Sequence, residues 1–229
     1  MHDKEEIKFG TDGWRGIIGD NYTFNNLKIL SQAVADYLGS GKKVAAGYDT
    51  RFMSDIFAEI SAKVLSNNGI EVILSDQPIP TPALSLAVKS RRLDLGIMIT
   101  ASHNPAEYNG FKIKMPSGGA AGPEVTKEIE DYLGKTPVKE DRGASGGIQK
   151  VDLTRDYVGF IRSYIDLKKI KKKKFKVLVD AMYGSGDSFF ARILKGSDIR
   201  LEFMRNNINH SFDGRRPEPI EEKDRKSVV

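Results

Sequence analysis

The sequence predicts an α/β protein: a layered α/β/α domain with a mixed, largely parallel sheet, followed by a partial second α/β domain of similar type. Short apolar runs bounded by turn residues alternate with segments of helical period as far as Leu133, which is the rhythm of βαβ units. The same order of strand, glycine-bearing loop and helix returns after residue 151. Between the two lies a polar, glycine-rich stretch without periodicity.

Each element follows from local pattern. "FNNLKILSQAVADYL" places Leu27, Leu30, Val34 and Leu38 on one helical face, with Gly39 as the stop. "KVAAGYD" reads as a buried strand. "SDIFAEISAKVLSNNG" reads as a helix with Ser54 at its N-cap and Gly69 after its end. "IEVILSD" is the next strand, and "TPALSLAVKSRR" the next helix, with Pro82 near its first turn. "LDLGIMITA" is a strand, "FKIKMP" looks like a returning one, and "GPEVTKEIEDYLG" closes the first domain, residues 1–134. Residues 135–151, beginning "KTPVKEDRGASGGIQ", read as an interdomain linker. In residues 152–229, the second and incomplete domain, "DLTRDYVGFIRSYIDLKKI" is helical. The strand "FKVLVDA", a Gly-rich turn, the helix "GDSFFARIL" and the strand "IRLEFMR" follow, while the tail "PEPIEEKDRKSVV" lacks an apolar face.

Composition narrows the classes. In 229 residues, a hydrophobic fraction of 39% and a charged fraction of 29% are those of a globular protein with a sizeable core. The longest apolar runs are too short to span a bilayer, and "MHDKEEIKFG" does not resemble a signal peptide, so no membrane association is expected. The absence of cysteine excludes disulfides and thiolate metal sites and fits a cytoplasmic location. The net charge of +5 is more than supplied by "KKIKKKKFK", Lys168 to Lys176. With no aromatic interleaving or nucleic-acid motif beside it, that run reads as a solvated helix end and turn, and no nucleic-acid partner is expected.

Chemistry concentrates at the ends of the first domain's strands, where α/β sheets place their ligands. In "TASHNPAEYNGFK", Ser102 and His103 follow an apolar strand, Asn104 and Asn109 add amide donors, and Lys112 sits on the returning strand. A serine hydroxyl is a weak nucleophile unless neighbours stabilise charge, and this loop could hold an anionic group on it. Taken alone, Ser102 could equally be a turn or cap residue and His103 an exposed histidine. "FGTDGWRG" surrounds Asp12 and Arg15 with glycines, so the backbone can approach a ligand while Arg15 offers a planar fork to phosphate. "GYDTR", Gly47 to Arg51, is either a further part of the site or a strand-to-helix loop with a surface ion pair. The prolines of "PIPTPA" are structural.

"FGTDGWRG", "GYDTR", "PIPTPAL" and "TASHNPAEYNGFK", in this order and at these separations, resemble the first domain of the α-D-phosphohexomutases, the phosphoglucomutase and phosphomannomutase superfamily. "VDAMYGSG" and "FDGRRPEP" are similar to the start of that family's second domain. The resemblance implies interconversion of hexose 1-phosphate and hexose 6-phosphate, an isomerisation by intramolecular phosphotransfer. Phosphoserine at Ser102 would pass its phosphoryl group to a hexose phosphate and recover another from a bisphosphorylated sugar, with hexose 1,6-bisphosphate as activator. Lys112 matches the family lysine that assists proton transfer, Arg15 the arginine near the reacting phosphate, and His103 the supporting histidine of the serine loop. Asn104 and Asn109 fall with Arg15 and Lys112 as expected phosphate-binding positions. Trp14 and "AEYNGFK" lean toward glucose or mannose phosphates over glucosamine phosphate.

The family's Mg²⁺ rests on the phosphoserine and on three aspartates of a "DGDGDR"-like loop, and this sequence contains no D-x-D-x-D. Of the metal ligands only Ser102, through its phosphate, has a counterpart here. The family's sugar-selecting and distal phosphate-binding loops also lack counterparts. The chain therefore looks like the amino-terminal portion of a longer enzyme, with weak metal binding and little turnover alone expected. The alternative is a non-catalytic sugar-phosphate binding module.

Overall fold

A computed structural model of the chain describes residues 7–10, 13–140 and 146–219. Within the first unit the elements run β1 (Trp14–Ile17), α1 (Phe24–Leu38), β2 (Lys43–Tyr48), α2 (Ser54–Asn67), β3 (Glu71–Ser75), α3 (Thr81–Ser90), β4 (Leu95–Ile99), β5 (Tyr108–Lys114), α4 (Pro123–Tyr132) and β6 (Ile148–Val151). The six strands form one sheet in the order β1-β5-β4-β2-β3-β6. β4, β2, β3 and β6 are parallel, while β5 runs antiparallel to both β4 and β1. The sheet is thus mixed and largely parallel, as the alternation of strand and helix predicts.

Helices cover both faces. Val44 and Ala46 of β2 join α1, α2 and α4 in the larger core through Leu27, Leu30, Val34, Phe57, Leu65 and Ile129. Ala45, between them, points to the opposite face and packs with Leu84, Ala87 and Val88 of α3. A strand buried on both sides must be apolar at every position, which is why "VAAG" shows no alternation. The expected helix punctuation is largely present. Gly39 ends α1 with φ 75°, Pro82 lies in the first turn of α3, and Gly69 follows α2 with φ 80°; Thr23, not named by pattern, caps α1 by accepting from the Asn26 amide at 3.2 Å.

Two expectations need correction. Ser54 is not the N-cap of α2: Met53 takes that place with φ 59° and no side-chain cap, while the Ser54 hydroxyl donates to Asp49 Oδ1 at 2.9 Å. An internal polar partner outcompetes the helix end for that hydroxyl. The polar stretch after α4 is also not wholly linker, because Ile148–Val151 adds β6 in parallel to β3. It pairs through the backbone ladder at the sheet edge, with Ile148, Gln149 and Lys150 exposed and Val151 packed against the smaller core, so burial leaves little pattern for hydropathy to reveal.

The second unit comprises α5 (Thr154–Tyr164), α6 (Leu167–Lys171), β7 (Lys176–Asp180), α7 (Asp187–Ile193) and β8 (Arg200–Met204), with β7 and β8 paired in parallel. α5 lies against α3 and α7, and Arg91 bonds Asp156 across that contact at 2.8 Å. The lysine run from Lys168 covers most of α6 and the exposed turn after it and ends at Lys176, the first residue of β7. Residues 220–229 of the tail lie outside the described residues.

Tyr22 ties the start of α1 to the sheet. Its ring stacks on Trp14 at 4.8 Å and meets Phe57 edge-on at 4.9 Å, and its buried hydroxyl donates to the Gly110 carbonyl at 3.1 Å. Tyr22→Phe should cost about 1 kcal/mol, the net worth of one buried hydrogen bond. Tyr22→Ala should cost roughly 3–5 kcal/mol through the cavity it leaves. Urea midpoints of the two variants check the ordering.

Candidate active site

The loop from β4 to β5 carries Ser102, and its shape follows from how β5 returns. Gly110 sits where a Cβ would come within 2.6 Å of the Thr100 carbonyl oxygen and 2.9 Å of that of Trp14, so only glycine lets β1, β5 and the end of β4 close together. The Asn109 side chain is fully buried, donating to Ser54 Oγ at 2.9 Å and accepting from the Gly110 amide at 2.8 Å. From this buried position the Asn109 amide braces the base of the loop.

Both backbone groups of Ser102 are held by the loop after β2. The Ser102 amide donates to Thr100 Oγ1 at 3.0 Å, and the Thr100 hydroxyl donates to Asp49 Oδ2. The Ser102 carbonyl accepts from Arg51 Nη2 at 2.8 Å. Arg51 does more than that. Its Nη2 also donates to the Asn104 carbonyl at 2.6 Å, and its Nη1 to those of Pro105 at 2.8 Å and Tyr108 at 3.0 Å. A guanidinium is the one side chain that can satisfy four carbonyls in a single plane. Ser102 itself adopts φ 57°, a left-handed conformation that a non-glycine residue holds only when its surroundings over-determine it.

"GYDTR" is therefore neither a surface ion pair nor a bystander. The Arg51 side chain is 1% exposed, with Nε 3.5 Å from Asp49 Oδ2. Burial pulls its guanidinium below the usual value, with Asp49 opposing and the Arg15 charge adding a small push the same way as burial. Burial likewise raises the Asp49 carboxyl above its ordinary range, against hydrogen bonds from Thr100 and Ser54 and the charge of Arg51. The signal for this was in the sequence: charged residues directly after a wholly buried parallel strand must lie at the ligand-binding edge of the sheet.

The remaining expected residues divide. Ser102 and His103 are exposed and line a cleft of about 450 Å³, together with Asp49, Thr50 and Arg51 and with Asp180, Met182, Ser185 and Phe212 from the second unit. Arg15, half-buried on β1, donates through Nη1 to Asn104 Oδ1 at 2.7 Å, so Asn104 orients the arginine beside the serine loop. Lys112 is 6% exposed on β5, directly opposite Met98 of β4, and so projects to the same face as that cleft-lining residue. Gly13 brings the arginine loop against it: a Cβ there would lie 2.5 Å from the Phe111 carbonyl and 3.0 Å from Lys112 Cγ. Asp12 lies outside the described residues.

A divalent cation finds no ready seat. Among the described residues no group of three or more His, Asp or Glu stands together. The two carboxylates on the cleft are engaged: Asp49 as above, and Asp180 by the Arg205 guanidinium and the Met182 amide. The described residues do not fit a Mg²⁺ site by themselves. Also among the described residues, no helix is long and apolar enough to cross a membrane.

A doubly wound domain with a buried-arginine clamp on an exposed serine places the molecule among α/β proteins that work at the carboxyl ends of their strands. Comparison with known proteins specifies it further. Residues 6–139 match the family model for phosphoglucomutase/phosphomannomutase, alpha/beta/alpha domain I, and residues 155–229 that for domain II. The chain belongs to this family, the α-D-phosphohexomutases. It is 35% identical over 214 residues to the phosphoglucosamine/phosphogalactosamine mutase of Sulfurisphaera tokodaii, covering 92% of this chain and 47% of that protein. A phosphoglucomutase of Staphylococcus saprophyticus is 33% identical over 225 residues, 90% of this chain and 40% of that one. The crystal structure of a putative phosphomannomutase from Thermus thermophilus superposes with TM-score 0.87 at 35% identity, over 95% of this chain and 50% of that chain. The chain spans about half the length of the curated relatives it matches.

Arg51→Lys should destabilise the chain by about 2–4 kcal/mol, because an ammonium group cannot reach the four carbonyls and leaves some unsatisfied. Amide exchange in peptides covering 101–109 should quicken in step. Lys28→Ala, at an exposed pair with Glu140, should move the urea midpoint by no more than about 0.5 kcal/mol equivalent and serves as the control.

Proposed function

We propose that this chain carries the phosphoryl-accepting half of a phosphohexomutase site, with Ser102 as the residue that alternates between free and phosphorylated forms. The observation that carries the reading is the clamp: Asp49 and Arg51 fix the amide and carbonyl of Ser102 while its side chain stays on the cleft. A group that must accept and return a phosphoryl group gains from being held still, since positioning and charge stabilisation supply most of the catalysis in phosphoryl transfer.

In the forward half-reaction the bond between Ser102 Oγ and phosphorus breaks and a bond from a sugar hydroxyl oxygen to phosphorus forms. The hydroxyl proton passes to Lys112, acting as base, and Ser102 Oγ takes up a proton as it leaves, so that phosphoryl group and proton change places between the two oxygens. Arg15, oriented by Asn104, binds the phosphate in flight, and His103 lends a further donor at the cleft. The substrate class is a hexose or hexosamine phosphate, in keeping with the glucosamine, galactosamine, glucose and mannose phosphates in the names of the relatives. The family's Mg²⁺ would supply charge neutralisation at the phosphate, with further ligands from outside the described residues. The chain as it stands should then show little net interconversion, with the cytoplasm as its place of work.

Intact-mass and peptide-mapping mass spectrometry tests this, using the chain as purified and after exposure to glucose 1,6-bisphosphate with Mg²⁺. Phosphate on Ser102, absent from Ser102→Ala, is the expected result. A folded chain that binds the bisphosphate and never carries phosphate on Ser102 would make it a sugar-phosphate binding module instead.

A further inference from the structure

The loop after β2 is gripped from two sides. Toward the first unit, Arg51 directs the in-plane edge of its guanidinium to the serine-loop carbonyls and to Asp49. Toward the second unit, Arg51 Cζ lies over the Phe212 ring, 5.1 Å from its centroid. A desolvated guanidinium over an aromatic face is attracted without competing for any of its N–H donors. Two more bonds join the same loop to the second unit. The Thr50 hydroxyl donates to the Tyr183 carbonyl at 2.7 Å, and the Thr50 carbonyl accepts from His210 Nδ1 at 2.9 Å, with the His210 ring edge-on to Phe52.

The contact is built rather than incidental. Phe212 is 4% exposed and has φ 51°, followed by Asp213 at φ 59°, and Met182 and Tyr183 opposite are left-handed as well. Bulky residues hold such conformations only where tertiary contacts offset the cost.

We infer that Phe212 and His210 are positioning residues for Ser102: the second unit holds the Arg51 loop in place, and Arg51 in turn holds the serine loop. The catalytic part of this inference rests on the reading of Ser102 as phosphoryl carrier; the mechanical coupling does not. Without the ring, the guanidinium loses a neighbour that keeps it against its four carbonyl acceptors. Loop opening and misalignment of Ser102 should rise together.

The test compares the full chain with Phe212→Ala, Phe212→Tyr and His210→Ala. Amide exchange of peptides covering 101–109 reports the coupling, and the rate of phosphate incorporation at Ser102 from glucose 1,6-bisphosphate reports its consequence. In Phe212→Ala the loop should exchange about tenfold faster and the saturating rate should fall about tenfold. The half-saturating bisphosphate concentration should stay within about twofold, which separates positioning from direct contact with the sugar phosphate. Phe212→Tyr, which restores the ring, should recover both. His210→Ala, at an exposed side chain, should shift both by about threefold and keeps the test open if Phe212→Ala fails to fold. Unchanged exchange at 101–109 in a folded variant overturns the inference, as does failure of the tyrosine to restore it. If wild-type Ser102 takes up no phosphate, the carrier reading falls and the exchange data alone decide the coupling.

Discussion

A buried guanidinium shapes this molecule, and most of what surrounds it can be understood as its accommodation. Arg51 cannot lose its charge, so burial at 1% exposure obliges the fold to bring oxygens to it: Nη1 and Nη2 are hydrogen-bonded, and Nε, without a hydrogen bond of its own, keeps Asp49 Oδ2 at 3.5 Å. The serine loop provides four of them as main-chain carbonyls, which would otherwise be turned away from water without partners. Each side satisfies the other. The arginine makes the loop rigid, and the loop makes a charged arginine tolerable inside the protein.

That exchange fixes geometry farther out. Asp49 reaches the amide side of Ser102 through Thr100, so two residues of one loop hold both backbone faces of a residue about fifty positions away. Ser54 is drawn from a capping role into the same network, and Asn109 is drawn from the cleft to its floor. Arg15 remains at the surface of the arrangement, tied to Asn104 and half-buried. The result is a rigid base beneath an exposed serine, with cationic and amide groups around it, at the edge where parallel strands end.

The second unit enters through the same arginine. Its contribution to the described cleft is a turn bearing Phe212, a carboxylate already committed to Arg205, and the glycine-bearing loop after β7. The two halves of the chain therefore meet at a shared mechanical element as well as at a shared cavity. The chain belongs to the phosphohexomutase family and spans about half the length of the relatives it matches.

Much of the architecture was legible in the sequence because it depends on short-range pattern. The 3.6-residue spacing of Leu27, Leu30, Val34 and Leu38, the continuous apolar run of β4 and the glycines after α1 and α2 report burial and punctuation that neighbouring residues largely determine. Ser102 could be singled out because it follows an apolar strand, Arg15 because glycines flank it, and Lys112 because it sits on the strand returning from the serine loop. What the tertiary structure alone decided are the partners chosen across long separations. The short, largely exposed strand β6 joins the edge of the sheet, Asn109 turns inward, and Arg51 becomes the clamp on a loop about fifty residues away. Periodicity records which side of an element faces the core; it carries no record of which distant carbonyl a buried donor will meet.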